Sequence, residues 1–335
     1  MTGVVRSGRR ALQSIAAVSP SLERVLLKGR RMIKRRIRHQ VRKNVGEDFV
    51  EYTGARFALV ASRSDPDPRV GIALRGACDL PSMFGLAPML REGIRGSVCI
   101  YREGIGAMDA RSDILLQALN GVPEDHTREL LDRFPQYSGY FQPRLFERTF
   151  RIPGHDWAGE FPKTVVVLSI GPDLGRAAYR HKEYGYLVDP GGAWLTQPLE
   201  KVLADPGTAR WFKEHFESVG RMPVEEFRAR FGEVVRLIRE QVGAHVLVFN
   251  MLTVEPGSRI HSYRFVRNPH STRRRAFHLA LAELSAELDF HIVDVDRVLK
   301  ESGVREQVDF AHFTDEGLAP IAAEAHRILK RLEVV

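Results

Sequence analysis

Two short motifs, far apart in the chain, contain the residue types of a nucleophile and its base. In the first, Cys78 follows the apolar run 70–74, which is typical of a buried strand, and precedes residues 82–90, which predict the start of a helix. A thiol at such a turn lies near free N–H groups and the positive end of the helix dipole, which lower a cysteine pKa. Cys78 is therefore a candidate nucleophile, and a small buried cysteine that closes a tight turn is the alternative. Ser82, inside the predicted helix start, is the fallback nucleophile.

The second motif is Asp309-Phe310-Ala311-His312, near the end of the chain. A histidine can take a proton from a nucleophile at neutral pH, and a carboxylate three residues earlier can hold its other ring nitrogen. His312 is therefore the candidate base, and Asp309 is the group that orients it. The alternative for Asp309 is a helix cap, because a helix is predicted directly after this motif.

The elements that must position these motifs alternate between short apolar runs and amphipathic stretches, which is the pattern of a parallel sheet covered by helices. Sheet strands are predicted at 70–75, 97–101, 164–170, 244–250 and 290–295. Helices are predicted at 82–92, 111–119, 125–134, 208–219, 223–241, 272–288 and 315–332. Residues 57–61 predict a weaker strand, expected to pair antiparallel at the edge of the sheet, because a turn-forming segment separates it from the next strand.

The domain organisation follows from these patterns. Residues 46–335 predict one α/β domain, and residues 1–45 predict a basic amphipathic N-terminal segment. A long insertion at about 102–160, rich in Pro, Phe and Tyr, separates the second and third sheet strands, and we expect it to form a cap.

The net charge of +8 arises in the N-terminal segment, because residues 1–43 contain 13 Lys or Arg and one acidic residue, against 37 basic and 41 acidic residues in the rest. Such a segment favours peripheral contact with an anionic membrane surface, docking on an acidic partner or non-specific binding of nucleic acid. The alternative is a solvated helix packed on the domain. Few aromatic residues lie among the charges, so no sequence-specific nucleic-acid binding is expected.

Several classes of protein are disfavoured. The chain has no run of about 20 apolar residues and no apolar core for a secretory signal, so a cytoplasmic location is expected, with membrane association only at the surface. Two cysteines make no disulfide framework, and Cys99 in an apolar run predicts a buried, inert thiol. Histidine and cysteine spacings typical of metal sites and glycine-rich phosphate loops are both lacking, so no metal and no required cofactor are expected.

Ligands of an open parallel sheet bind beyond the carboxyl ends of its strands. Basic residues in the loops predicted there would attract an anionic substrate. The residues assigned to substrate binding are Arg176, Arg180, His181, Arg264 and Arg267, together with Asp79 beside the candidate nucleophile. Solvated loops are the alternative for the basic residues, and a helix cap is the alternative for Asp79. The polar-aromatic segment 181–190 predicts either a sugar subsite or a surface hairpin.

Asn250 ends the fourth predicted strand and is the only side-chain amide at a predicted strand mouth. An amide N–H there can stabilise an oxyanion, or the side chain can simply satisfy loop backbone.

The order of these motifs resembles the SGNH/GDSL hydrolase superfamily, over about residues 68–332 without the insertion. The first block of the family is Gly-Asp-Ser; here it is Gly76-Ala77-Cys78, similar to outlying branches with a cysteine at this place and to polysaccharide acetyltransferase-like proteins. The third block, normally Gly-x-Asn-Asp, is Gly171-Pro172-Asp173, in which the family's oxyanion donor is replaced by a carboxyl that donates only when protonated. The last block, Asp309-x-x-His312, is intact.

The resemblance implies a flavodoxin-like three-layer sandwich with a mostly parallel five-stranded sheet of order 2-1-3-4-5. It also implies acyl transfer on an ester, thioester or acyl-sugar through Cys78, His312 and Asp309, with polar support from Gly171, Asp173 and Asn250. The expected substrate is a small molecule or glycan, anionic or acylated, and acyl-coenzyme A is the expected donor if the enzyme is a transferase. The alternative is a non-catalytic protein of the same fold that binds an anionic glycan or lipid precursor.

Overall fold

The structure is a computed structural model, and it describes part of the chain. The described residues are 42–53, 57–76, 80, 97–101, 111–141, 149–151, 156, 158–189, 205–253, 271–303 and 313–334. Residues 1–41 of the N-terminal segment and the predicted helix at 82–92 lie outside them. No helix within these ranges combines the length and the apolar character needed to cross a membrane.

The strands fall into one large sheet and two small ones. In chain order they are β1 (Arg42–Val45), β2 (Phe49–Thr53), β3 (Phe57–Ser62), β4 (Pro68–Arg75), β5 (Ser97–Tyr101), β6 (Thr149–Arg151), β7 (Ala158–Glu160), β8 (Lys163–Ser169), β9 (Ala177–His181), β10 (Leu187–Val188), β11 (Phe216–Arg221), β12 (His245–Phe249) and β13 (His291–Val293). The large sheet has the order β1-β2-β3-β5-β4-β8-β12-β13, and its five strands from β5 to β13 are parallel. The small sheets are β10-β9-β11 and β6-β7.

Helices cover both faces of the large sheet. They are α1 (Ser112–Asn120), α2 (Glu124–Arg133), α3 (Gly171–Gly175), α4 (Pro206–His215), α5 (Val224–Leu237), α6 (Ser271–Leu288), α7 (Val295–Ser302) and α8 (Asp315–Arg331). A 3-10 helix follows α2 at Pro135–Tyr140, and α5 continues as a π-helical turn at Ile238–Val242.

The three layers follow from the apolar strands. β8 reads Lys-Thr-Val-Val-Val-Leu-Ser, and its valines are fully buried, as expected of a parallel strand covered on both faces. Alternate residues face opposite ways, so Val165 and Val167 belong to a cluster with α7 and α8, whereas Val166 belongs to a cluster with α1, α5 and α6. The predicted α/β class with a parallel sheet is therefore confirmed.

Two predicted elements differ from the structure. The strand β3 is antiparallel to its neighbours as expected, but it is not at the edge, because β1 and β2 extend the sheet beyond it. The helix predicted at 208–219 ends at His215, and the next residues form β11, which pairs with β9. The helix α7 was not predicted, because it is only eight residues long and follows a strand directly.

The described helices of the insertion differ from the expected cap. Ile114 and Ala118 of α1 are fully buried in the same hydrophobic cluster as Val166 of β8 and Phe227 of α5. The helix α1 is therefore part of the domain core, and Leu130 of α2 is buried in the same cluster.

Gly76 marks the closest approach between the ends of two neighbouring strands. Its φ is +152°, and a Cβ placed on it would lie 2.7 Å from both the Cβ and the backbone nitrogen of Ser169, at the end of β8. Real Cβ atoms do not approach other atoms so closely. A glycine is therefore required at the position two residues before Cys78.

The substitution Gly76→Ala tests this close approach. We expect a loss of about 1–3 kcal/mol in the free energy of unfolding, because Ser169 is held by the sheet and the added methyl overpacks the site. Urea denaturation measures it. The matched control is Gly175→Ala, since nothing lies within 4 Å of a Cβ built at Gly175. Equal losses in the two variants would contradict the steric argument.

Candidate active site

The candidate nucleophile and base are bracketed by described residues, although they lie outside the described ranges themselves. Cys78 and Asp79 fall in the gap at 77–79, Asp309 and His312 in the gap at 304–312, and Arg264 and Arg267 in the gap at 254–270. The chain enters the first gap from Gly76, at the carboxyl end of β4, and leaves it at Leu80. It leaves the second gap at Phe313, just before α8.

Leu80 and Phe313 belong to the same hydrophobic cluster, together with Leu74 at the end of β4 and Leu299 of α7. Leu80 is two residues from Cys78, and Phe313 is the residue after His312. Cys78 and His312 are therefore two residues and one residue along the chain from members of this cluster, which also includes side chains of β8, β12 and β13.

Asp173 lies at the carboxyl end of β8, in the short helix α3, and is 1% exposed. Its Oδ1 accepts hydrogen bonds from the backbone N–H of Ser112, at 2.7 Å, and from the Ser112 hydroxyl, at 2.8 Å. Burial raises the pKa of Asp173 to about 7, although the two hydrogen bonds from Ser112 act in the opposite direction. This carboxyl therefore holds the start of α1 against the turn after β8.

The turn that contains Asp173 is secured by two further groups. The backbone N–H of Gly171 donates to the hydroxyl of Ser169 at 3.3 Å. The guanidinium of Arg273 donates to the carbonyl oxygens of Asp173, Leu174 and Met222, at 2.9, 3.0 and 2.6 Å. Gly171 and Asp173, two of the groups predicted to support an oxyanion, are thus engaged within the protein.

Asn250 follows β12, on the same edge of the sheet. Its amide Nδ2 donates to Asp294 at 2.8 Å, and its Oδ1 accepts from the backbone N–H of Val295 at 2.7 Å. The carboxylate of Asp294 in turn caps α7 by accepting from the N–H of Arg297. Of the two roles considered for Asn250, the structure displays the satisfaction of loop backbone.

A polar network beside Asn250 was not predicted from the sequence. Asp296 accepts from the backbone N–H and hydroxyl of Thr253, and from Lys300 at 2.7 Å. Arg274, 5% exposed, donates to the carbonyl oxygen of Leu252 at 2.5 Å. His278 accepts from the N–H of Met251 at 3.3 Å, and burial is the main cause that lowers its pKa. Thr253 and Asp296 are 43 positions apart in the sequence, so only the fold reveals the network.

The basic residues after β8 do not converge on one point. Arg176 is partly exposed and lies 4.0 Å from the carboxylate of Asp189, whereas Arg180 is half exposed and lies 3.8 Å from Glu217. Lys182 donates to the carbonyl oxygens of Lys213 and Glu214 at the end of α4. The described basic residues thus have partners in the protein, which weakens their attraction for an anionic substrate.

His181 is buried in the hairpin between β9 and β10, where it serves the turn. Its Nδ1 accepts from the backbone N–H groups of Glu183 and Tyr184, at 3.3 and 3.2 Å. Burial first, and then repulsion from His215, lowers the pKa of His181. Tyr184 stacks on His126 and on His181, at 4.4 and 4.9 Å between ring centroids, and is 42% exposed. The segment 181–190, as far as it is described, is therefore a surface hairpin.

Arg75 is a candidate residue to which the sequence analysis assigned no role. It is 5% exposed at the carboxyl end of β4, and its Nη1 donates to the carbonyl oxygen of Leu74 at 2.8 Å. The sequence feature that could have identified Arg75 is an arginine at the end of an otherwise apolar predicted strand. Because a guanidinium stays protonated, Arg75 places a buried positive charge three residues before Cys78.

The described residues contain no group of three or more His, Cys, Asp or Glu side chains that could hold a metal ion.

Arg111 and Asp113 form a buried ion pair at 2.5 Å, and Arg111 also donates to the carbonyl oxygen of Gly220 at 2.6 Å. This pair joins the start of α1 to β11 and, like Asp173, it positions the helix.

Comparison with known proteins returned solved structures only, since neither a family profile nor a curated protein matches the chain. A lipase/acylhydrolase from Enterococcus faecalis is 14% identical, with a TM-score of 0.40, over 78% of this chain and 96% of that one. A member of the lipolytic G-D-S-L family from Veillonella parvula is 11% identical, with a TM-score of 0.36, over 78% and 99% of the two chains. A variant of an acetyl xylan esterase from Geobacillus stearothermophilus is 11% identical, with a TM-score of 0.37, over 77% and 92%.

The raised pKa of Asp173 predicts a pH dependence of stability. In the folded state this carboxyl keeps its proton up to about pH 7, whereas the ordinary pKa of an aspartate is 3.8. Its contribution to the free energy of unfolding is therefore fully present below the unfolded value and is lost as the pH rises through 7, with a slope of at most about 1.4 kcal/mol per pH unit.

The variant Asp173→Asn isolates this contribution, because an amide oxygen can accept both hydrogen bonds from Ser112 and does not titrate. We expect the free energy of unfolding of the variant, minus that of the wild type, to rise between about pH 4 and pH 7. Urea denaturation across this range measures the difference. Asp125→Asn, at an exposed position in α2, is the control. A difference that does not change with pH would contradict the assignment.

The hydrogen bonds of Asn250 predict that removing its side chain lowers the free energy of unfolding. Asn250→Ala leaves the N–H of Val295 and the carboxylate of Asp294 without this partner, which should lower the free energy of unfolding by about 1–3 kcal/mol. Asn44→Ala, at an exposed position in β1, should change it by less than about 0.5 kcal/mol. Thermal and urea unfolding compare the two, and an equal change in both variants would show that the hydrogen bonds of Asn250 do not stabilise the fold.

Proposed function

We propose that this protein is an acyl-transfer enzyme of the SGNH type, an esterase or deacylase in which Cys78 is the nucleophile, His312 the base and Asp309 the group that orients the base. The observation that carries the proposal is the shared cluster of Leu80 and Phe313, which flank the nucleophile and the base. In an open parallel sheet this carboxyl edge is where ligands bind.

The first half of the proposed reaction forms an acyl-enzyme. His312 takes the thiol proton of Cys78 as the sulfur attacks the acyl carbonyl carbon of the ester. The tetrahedral intermediate collapses, the bond from carbon to the alcohol oxygen breaks, and the imidazolium gives its proton to the leaving alcohol. The carboxylate of Asp309 supports the imidazolium through the other ring nitrogen. The product of this half is a thioester on Cys78.

The second half restores the enzyme. His312 takes a proton from water, the hydroxide oxygen attacks the thioester carbonyl, and the carbon–sulfur bond breaks. The imidazolium returns its proton to the sulfur of Cys78, and a carboxylic acid leaves. If a sugar hydroxyl takes the place of water, the second half transfers the acyl group to that hydroxyl, and acyl-coenzyme A is the proposed donor.

In this proposal, backbone N–H groups at the turn of Cys78 stabilise the oxyanion. A protonated Asp173 can donate from Oδ2, since both hydrogen bonds from Ser112 fall on Oδ1. The buried guanidinium of Arg75 favours a thiolate and an oxyanion at the same edge. The substrate class proposed is an acylated glycan or small molecule, anionic where Arg264 and Arg267 contact it.

A second candidate function is the binding of an anionic glycan or lipid precursor without catalysis. Two observations favour it: Asp173, which stands where the family has its asparagine, holds the start of α1, and Asn250 holds the start of α7. A protein that only binds needs no coupling between Cys78 and His312, so their coupling separates the two functions. For either function, we propose that the basic segment 1–43 makes peripheral contact with a membrane.

The decisive test is the pH dependence of Cys78 alkylation by iodoacetamide, in a Cys99→Ser background that leaves one thiol. We expect the thiolate to titrate well below the ordinary value of about 8.5, and His312→Ala to shift that titration because the imidazolium stabilises the thiolate. Hydrolysis of p-nitrophenyl acetate by the same proteins should fall by at least about 100-fold in Cys78→Ala and in His312→Ala.

The control for the nucleophile is Ser82→Ala, which should keep the full rate of hydrolysis. Loss of activity in Ser82→Ala with retention in Cys78→Ala would transfer the role to the serine. An ordinary titration of Cys78 that does not respond to His312→Ala, together with no hydrolysis, would contradict the proposed enzymatic function. The non-catalytic binding function would then be favoured.

A further inference from the structure

A cavity of about 400 Å³ lies at the opposite edge of the large sheet, where the parallel strands begin. Its walls come from the end of the π-helical turn after α5, the starts of β12 and β13, and the residue after α8. Five residues of β12 separate this edge from Asn250, a distance of roughly 16 Å at the rise of a strand. The cavity is therefore separate from the candidate active site, and its volume falls among pockets that hold small molecules, about 300–1,000 Å³.

The floor of the cavity is apolar, whereas most charged groups at its rim are basic. The apolar lining residues are Ala244, Val246, Phe290 and Leu332. Phe290 and Val246 are each 4% exposed, so they are fixed parts of the core. An apolar floor beneath a polar rim suits an amphipathic ligand, because the floor can bury an apolar group while the rim binds a charge.

The rim contains Arg239, His245 and His291, and Lys163 begins the neighbouring strand β8. Arg239 donates from Nη1 to the carbonyl oxygen of Leu288, which fixes its guanidinium at the end of α6. After burial, the causes that lower the pKa of His245 are His291, Lys163 and Arg239, so the potential at this imidazole is positive. Asp289 supplies one carboxylate at the rim.

We propose that this cavity binds a small organic carboxylate with a short apolar group, and binds it more tightly as the pH falls and His245 takes up a proton. A monoanion fits the rim better than a phosphate dianion, because Asp289 offsets one of its positive charges and Arg239 already uses one donor. The groups that face the imidazoles are Lys163 from β8, Arg239 from the π-helical turn and Asp289 before β13.

The test compares benzoate with benzamide, its neutral counterpart, by titration calorimetry on the full chain. We expect one benzoate to bind per chain, with an affinity that rises several-fold (about threefold or more) as the pH falls from about 7.5 to about 5, because the pKa of His245 is lowered and protonation comes below the ordinary histidine range, and benzamide to bind more weakly without that rise. The double variant His245→Gln, His291→Gln should lose the pH dependence. His126→Gln, which changes a histidine outside the cavity, should keep it.

Three results would overturn the proposal: no saturable binding of benzoate up to about 20 mM, equal affinity for benzamide, or an unchanged pH dependence in the double variant. Thermal unfolding at each pH verifies that the variants are folded. The same titration with Cys78→Ala separates this site from the proposed catalysis, because loss of the nucleophile should leave benzoate binding unchanged. Binding that depended on Cys78 would place the ligand in the active site instead.

Discussion

The pairing of β4 with β8 is the constraint on which the rest of the structure depends. These two strands lie at the centre of the large sheet, and their apolar side chains extend into the hydrophobic clusters on both faces. At the carboxyl end their backbones approach so closely that Gly76 admits no side chain against Ser169. The chain leaves β4 at Gly76 and β8 at Ser169, which are adjoining points, so the position of one strand end defines the position of the other.

Buried polar groups connect the helices to this pair of strands. The carboxyl of Asp173 reaches Ser112 at the start of α1, and Asn250 reaches Val295 at the start of α7. Both side chains end strands at the carboxyl edge, and both satisfy backbone N–H groups that a helix cannot satisfy within itself. The carboxyl edge of the sheet is therefore the edge at which these two side chains hold the helices in register.

The sequence was sufficient for the elements with local patterns and insufficient for those that depend on distant partners. The apolar run at 164–170 predicted β8, and the amphipathic patterns predicted α1, α5, α6 and α8. The strand β11 was read as helix because its pairing with β9, some 40 residues earlier, leaves no local pattern. The expected cap is not confirmed for α1, because its apolar side chains are buried in the cluster that includes Val166 of β8. Likewise, Ser112 is 61 residues from Asp173, and their contact has no sequence signal.

The antiparallel strands β1 to β3 have a further consequence at the margin of the sheet. Among the described residues the outer strands are β1 and β13, with four and three residues. A long, flat outer strand would offer unpaired backbone groups to another chain and promote aggregation. Here one margin is a short exposed strand with two cationic side chains, Arg42 and Lys43, and the other is too short to serve as a template. Folded copies are thereby protected from joining edge to edge, and the buried central strands keep their hydrogen bonds to themselves.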